Sequence, residues 1–230
     1  MSMNDASSRR RFLSTVVLLG VGDAVAAAPR NKPAEVNATE DLMREHGIIR
    51  RTLLVYEEIA RRLGMPEEKA PVEVLAQATR LMRRFGEGYH EKTEETEVFP
   101  RMVKAGQQKE LVQVLLQQHA AGRKLTESIL AATSGRDALT QPQPRAATAR
   151  QLTQFTRMYR PHAAREDTVL FPAFRELFNE KQFGELGERF EEQEHKVLGK
   201  DGFENALKEV DQLERALDIH DLSRFTPPEK

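Results

Sequence analysis

The chain has 230 residues, 39% of them hydrophobic, which suits one domain with a core of its own. With 35 basic residues against 36 acidic ones the formal charge is -1, so no overall field draws the protein to nucleic acid or an anionic bilayer. Cysteine is absent, which excludes disulfides, thiol nucleophiles and sulfur-built metal sites; any metal must be held by nitrogen and oxygen.

Residues 1–28 read as an address. Ser8, Arg9, Arg10, Arg11, Phe12 and Leu13 open a basic stretch, the mostly apolar run LSTVVLLGVGDAVAAA follows, and Ala24, Ala26 and Ala28 suit an A-x-A cleavage site. The string SRRRFLS resembles a twin-arginine export signal. The resemblance implies transport by the twin-arginine translocation machinery, a periplasmic or exported product, and no stable membrane insertion after processing. Asp23 interrupts the apolar run, which is too short for a stable spanning helix. Residues 29–37 read as a flexible linker.

From Asp41 the apolar residues recur at helical spacing. Leu42, Ile49, Leu53, Leu54, Ile59 and Leu63 form one stripe, stopped by Gly64 and Pro66. Further helical patterns run from about Pro71 to Lys104, Lys109 to Thr133 and Ala146 to Asn179, with RDALTQPQPR as the loop before the last. Shorter amphipathic pieces follow near Phe183 to Leu198 and Phe203 to Leu217, then a Pro-rich end. Strand signals are missing. The expectation is an all-α protein: an antiparallel four-helix bundle over residues 38–180, with additional C-terminal helices in residues 181–230.

Two stretches echo each other. HEKTEETEVFP begins at His90 and HAAREDTVLFP at His162, and the steps from His90 to His162, Glu94 to Glu166, Phe99 to Phe171 and Pro100 to Pro172 are all 72 positions. His46 in the first helix and His119 in the third are 73 apart. Each half is thus a helix with one His followed by a helix with H-x-x-x-E. Residues four apart on a helix differ by about 40° in direction, so each His and Glu project together. Two such pairs, with His46 and His119, bring four imidazoles and two carboxylates to the interior, the donor set of a two-metal site bridged by carboxylates and capped by histidines. Leu42, Ile49 and Leu53 around His46, and Leu115 and Leu116 before His119, put these histidines on apolar stripes, and Phe155 and Tyr159 line the same interior. A single imidazole on such a stripe is ordinarily a hydrogen-bonded core residue. The repetition over four successive helices is what argues for metal. The Phe-Pro pairs are expected to pack the bundle and bend its helices, and GEG at Gly86 to Gly88 is read as a flexible point before the ligands. His195 and His220 are expected in solvent, with a weaker cation site of His195 and Glu191 or Glu194 as the alternative for the former.

The set His46, His90 with Glu91 and Glu94, His119, and His162 with Glu166 resembles the hemerythrin-like, or HHE cation-binding, domain over roughly residues 38 to 180. The resemblance implies an antiparallel bundle around two iron ions joined by an oxo or hydroxo bridge, with Glu94 and Glu166 as bridging carboxylates and a small diatomic or peroxide ligand. The chain departs from oxygen-carrying hemerythrin on the third helix, where His119 is followed by Arg123 rather than a second His. Glu91 matches the extra carboxylate ligand of some relatives, and its counterpart in the other half is Ala163. Tyr159 or Tyr89 is the expected hydrogen-bond donor to bound oxygen. The implied function is reaction with, or sensing of, oxygen, peroxide or nitric oxide in the cell envelope, as an oxidoreductase with an unidentified electron donor if there is turnover. The alternative is a reversible oxygen- or iron-binding or storage module without turnover. Manganese or zinc would also suit these donors.

Overall fold

The computed structural model describes residues 36–135 and 137–227; the export-like leader and nearly all of the expected linker lie outside them. Helix α1 spans Ala38–Leu63. It starts where Asn37 and Glu40 form a reciprocal capping box, the Asn37 side chain accepting from the Glu40 N–H at 3.0 Å and Glu40 Oε2 accepting from the Asn37 N–H at 3.1 Å. Helix α2 (residues 72–104) is a continuous rod of α-helical pieces and two π-helical stretches, Met82–His90 and Glu94–Val98. Helix α3 spans Lys109–Ala132. Helix α4 (residues 142–175) contains a third π-helical stretch, Glu166–Leu170. The tail helices are α5, Glu180–Leu198, and α6, Gly202–Ala216.

Among the described residues there is no strand, and no helix is long and apolar enough to cross a membrane. Helix α1 packs on α2 and α4, and α3 on α2 and α4, which closes a ring of four. The tail helices lie outside it, α5 against α1 and the π-helical stretch of α2, and α6 against α1 and α2. Arg51 of α1 clasps Glu214 of α6 at 2.9 and 2.5 Å, which fixes the tail by a paired hydrogen bond rather than by apolar contact alone.

Helix α4 begins at Pro142, four residues before the expected start, because Pro is well suited to the first helical turn, where its missing N–H leaves nothing unpaired. Part of the expected loop is therefore helix. Arg145 within it is buried and donates to the carbonyls of Arg62, Leu63, Met65 and Glu68, which satisfies the exposed C-terminal carbonyls of α1 and the turn after it. Leu54 and Leu116, expected on apolar stripes, are instead exposed by 38% and 41%, since each stands one position beside a buried leucine, Leu53 or Leu115. The glycines expected to make a flexible point sit inside the first π-helical stretch. A Cβ at Gly86 would meet Met82 Sδ at 2.7 Å, so the residue is small there for close packing.

The apolar interior falls into two clusters. One includes Ile49, Leu53, Tyr56, Phe85, Tyr89, Phe155 and Tyr159; the other includes Leu42, Val98, Phe99, Leu115, Leu170, Phe171 and Phe174. On α1, α2 and α4 the chain passes from one cluster to the other through the repeated polar residues, which form a layer between them.

Candidate metal centre

The sequence pairs the residues; the bundle brings the pairs together. His46 from α1, His90 and Glu94 from α2, and Glu166 from α4 each place one donor atom within 4.8 Å of the others. Glu94, His119 from α3, and His162 and Glu166 from α4 make a second such set. Glu94 and Glu166 belong to both, so two adjoining four-residue sites share two carboxylates. All six residues are buried.

The contacts inside the layer fit ligands facing a common cation. The Glu166 Oε2 oxygen lies 3.3 Å from His46 Nε2 and 3.1 Å from His162 Nε2, while Glu94 Oε1 is 3.5 Å from His90 Nε2 and Glu94 Oε2 is 3.4 Å from His119 Nε2. Two donors each bound at about 2.1 Å to one ion, at about 90° to 110°, stand about 3.0 to 3.4 Å apart. Both oxygens of Glu94 and of Glu166, and the Nε2 atoms of His46 and His90, make no hydrogen bond. His119 Nε2 and His162 Nε2 face each other at 3.2 Å, where two neutral lone pairs would repel. So many bare donors in an apolar interior is the arrangement of a cation site, since burying them without a cation or proton is costly.

Every imidazole is held from its other side. Nδ1 of His46 meets Asp167 at 2.6 Å, of His90 Glu45 at 2.8 Å, of His119 Glu95 at 3.1 Å and of His162 Gln118 at 2.9 Å. A proton on Nδ1 donated to these acceptors leaves the Nε2 lone pair aimed at the layer. The arrangement follows the internal echo: Asp167 and Glu95 each follow a motif Glu, and Glu45 and Gln118 each precede a single His. Sequence reading missed these four as partners, although the acid after each motif Glu is part of the repeated pattern. Phe171 stacks on His46, with ring centroids 5.6 Å apart, and Phe99 on His119 at 5.5 Å. The Phe-Pro phenylalanines thus wall the histidines off.

Without a cation, protons take up part of the charge. Burial lowers His46, but the hydrogen bond to Asp167 and the neighbouring Glu166 and Glu94 carboxylates outweigh it, raising the imidazole from 6.5 to about 9. Burial likewise opposes His119, yet Glu94, Glu95 and Glu91 bring it to about 10. Glu166 is pushed up by burial but held well below the usual carboxylate range by His162 and His46. Glu95 is lifted by burial and brought down to about 2 by His119 and Arg123.

Glu91 is buried but stands in neither four-residue set. Its Oε2 accepts from Arg123 Nη2 at 2.9 Å and its Oε1 from the Tyr159 hydroxyl at 3.2 Å. Burial raises it, against the opposing charges of His119 and Arg123. Both tyrosines proposed as donors to a ligand are engaged elsewhere: Tyr159 to Glu91, and Tyr89 to Glu45 Oε1 at 3.0 Å. Phe155 stacks on Tyr159 with centroids 5.5 Å apart and supports the site from behind it. His195 and Glu191 join no cluster of metal-holding side chains among the described residues; Glu194 turns inward and accepts from the Phe203 N–H at 2.7 Å.

Residues 37–174 match the family model of the hemerythrin HHE cation binding domain. Uncharacterized proteins of Mycobacterium bovis and of two strains of Mycobacterium tuberculosis are each 43% identical over 192 residues, 84% of this chain and 74% of the relative. No solved structure gives a significant match.

Proposed function

The chain belongs to the family of hemerythrin HHE cation-binding domains, and on that premise we propose that it holds two iron ions between Glu94 and Glu166 and uses them to react with or sense oxygen, peroxide or nitric oxide. The observation that carries this reading is the pair of overlapping four-residue sets with two shared carboxylates whose four oxygens make no hydrogen bond. His46 and His90 would complete one ion's protein ligands, and His119 and His162 the other's. The fit is chemical as well as geometric: imidazole and carboxylate donors, with no sulfur, suit iron and also manganese or zinc.

Bound iron would supply redox chemistry and a position for a small ligand. The chain's own residues prepare the place. The Nδ1 partners Asp167, Glu45, Glu95 and Gln118 fix ring orientation and tautomer, and three of the four being carboxylates makes the rings more electron-donating. Phe99, Phe171 and the two apolar clusters enclose the layer in apolar surroundings, which strengthens every charge inside. Tyr159, raised well above its usual 10 by burial and by the charges of Glu91, Glu94 and Glu166, keeps its hydroxyl proton at working pH. The negative charge of the two shared carboxylates favours the higher oxidation state of a bound metal.

The SRRRFLS leader supports a periplasmic site of action, reached by a route that moves folded, metal-loaded protein. Retention of export after Arg9 and Arg10 are changed to Lys would remove that part of the proposal.

The deciding experiment is metal content and the visible spectrum of the purified chain, reduced without air and then exposed to oxygen. About two irons per chain with new near-ultraviolet or visible bands is the expected result. Bands that reverse under vacuum would identify a carrier or sensor. A folded chain that takes up no metal would overturn the reading.

A further inference from the structure

We propose that Arg123 is a latch that holds Glu91 away from the metal pair and so keeps the His119 and His162 side accessible to small anions. The inference rests on the two-iron reading above.

Arg123 stands one turn after His119 on α3, and its Nη2 donates both to Glu91 Oε2 and to Glu95 Oε1. Tyr159 on α4 occupies the other Glu91 oxygen. Glu91 is therefore held by two neighbouring helices, whereas the four oxygens of Glu94 and Glu166 make no hydrogen bond. The contrast separates carboxylates presented to a cation from one that is kept engaged. Glu91 is nevertheless near: one of its oxygens, one of Glu95 and a ring nitrogen of His119 lie within 4.8 Å of one another. That trio has the composition of a third metal site, but the guanidinium already supplies its positive charge.

The latch can open. The Arg123 side chain is 37% exposed and so has water to turn to, while Glu91 is fully buried and has none. Without Arg123, the buried Glu91 carboxylate keeps only the Tyr159 hydroxyl, and the nearest strong cation is the loaded metal pair. Its counterpart in the other half is Ala163, so only one side of the pair carries this device. Because a single nitrogen of Arg123 makes both bonds, an ammonium could replace it in part.

The test uses the full chain, loaded with iron and oxidised, and azide binding followed by its absorption band. Arg123→Met should weaken azide binding at least about tenfold, the size ordinarily carried by groups behind a metal site's ligands. It should also alter the spectrum before azide is added. Adding Glu91→Gln to Arg123→Met should restore the affinity of Glu91→Gln alone, and Arg123→Lys should retain most of the wild-type affinity. Unchanged azide binding in Arg123→Met overturns the latch, and so does an equal loss in the double variant, which would mean a through-space loss of charge. Iron content distinguishes the two failures: a wild-type chain that takes up no iron overturns the site reading and the latch together, while iron-loaded variants of equal affinity overturn the latch alone.

Discussion

Each imidazole of the layer is gripped on Nδ1 so that Nε2 is left for a cation, and the grips repeat with the sequence echo except where Glu45 gives way to Gln118. Asp167→Asn exchanges a charged acceptor for a neutral one on His46, and iron should be lost to a chelator roughly ten times faster, read from the decay of the visible bands. The shared carboxylates carry a different expectation. Glu166→Ala removes a member of both sets and should leave well below one iron per chain, whereas His162→Ala removes a member of one set and should leave about one. Equal iron content in the two variants would refute the shared-carboxylate arrangement. The ligand candidates were legible because a spacing of four is a local property of a helix. Glu45, Glu95, Gln118 and Asp167 were not, since their role depends on a residue on another helix.

At the scale of the element, the π-helical turns explain the Phe-Pro pairs. Pro100 and Pro172 have no N–H to give to the carbonyl four residues back, and just before each the hydrogen bond runs over five residues, from Phe99 N–H to Glu94 and from Phe171 N–H to Glu166. Residues five apart thereby come to a common face, so each motif Glu points into the layer while its Phe, five positions on, covers a histidine there. Each Phe-Pro pair thus marks a change of helical register. The repeated Thr fits the same scheme: Thr96 and Thr168 donate to the carbonyls of Lys92 and Ala164, four residues back, at 2.8 and 2.6 Å. Replacing Pro100 and Pro172 by Ala should let ordinary α-helical bonds re-form and swing Phe99 and Phe171 off the histidines. Far-ultraviolet circular dichroism should stay helical while iron retention falls severalfold; undiminished retention would show that the π turns do not hold the site.

At the scale of the whole molecule, the site is a charged layer between two apolar clusters, and stability depends on what fills it. In the metal-free chain His46 and His119 have raised pKa values of about 9 and about 10, so their stabilising protons are in place below the ordinary 6.5 and are lost as the pH climbs through those values. Thermal melts of the metal-free chain should therefore show falling stability from about pH 7 to 10. The iron-loaded chain, whose imidazoles carry no such protons, should melt higher and lack that decline. A metal-free melt that is flat over this range would contradict the proposed protonation.

The sequence by itself determined the all-helical bundle, its internal duplication and the six residues that make up the two sets, because apolar periodicity and the spacing of four are both fixed along one helix. Only the tertiary structure decided which residue grips which imidazole, that Arg123 and Tyr159 engage Glu91, and that the Phe-Pro pairs close π turns over the histidines. Those outcomes depend on the rotation and register of each helix against its neighbours, set by packing between segments far apart in the chain.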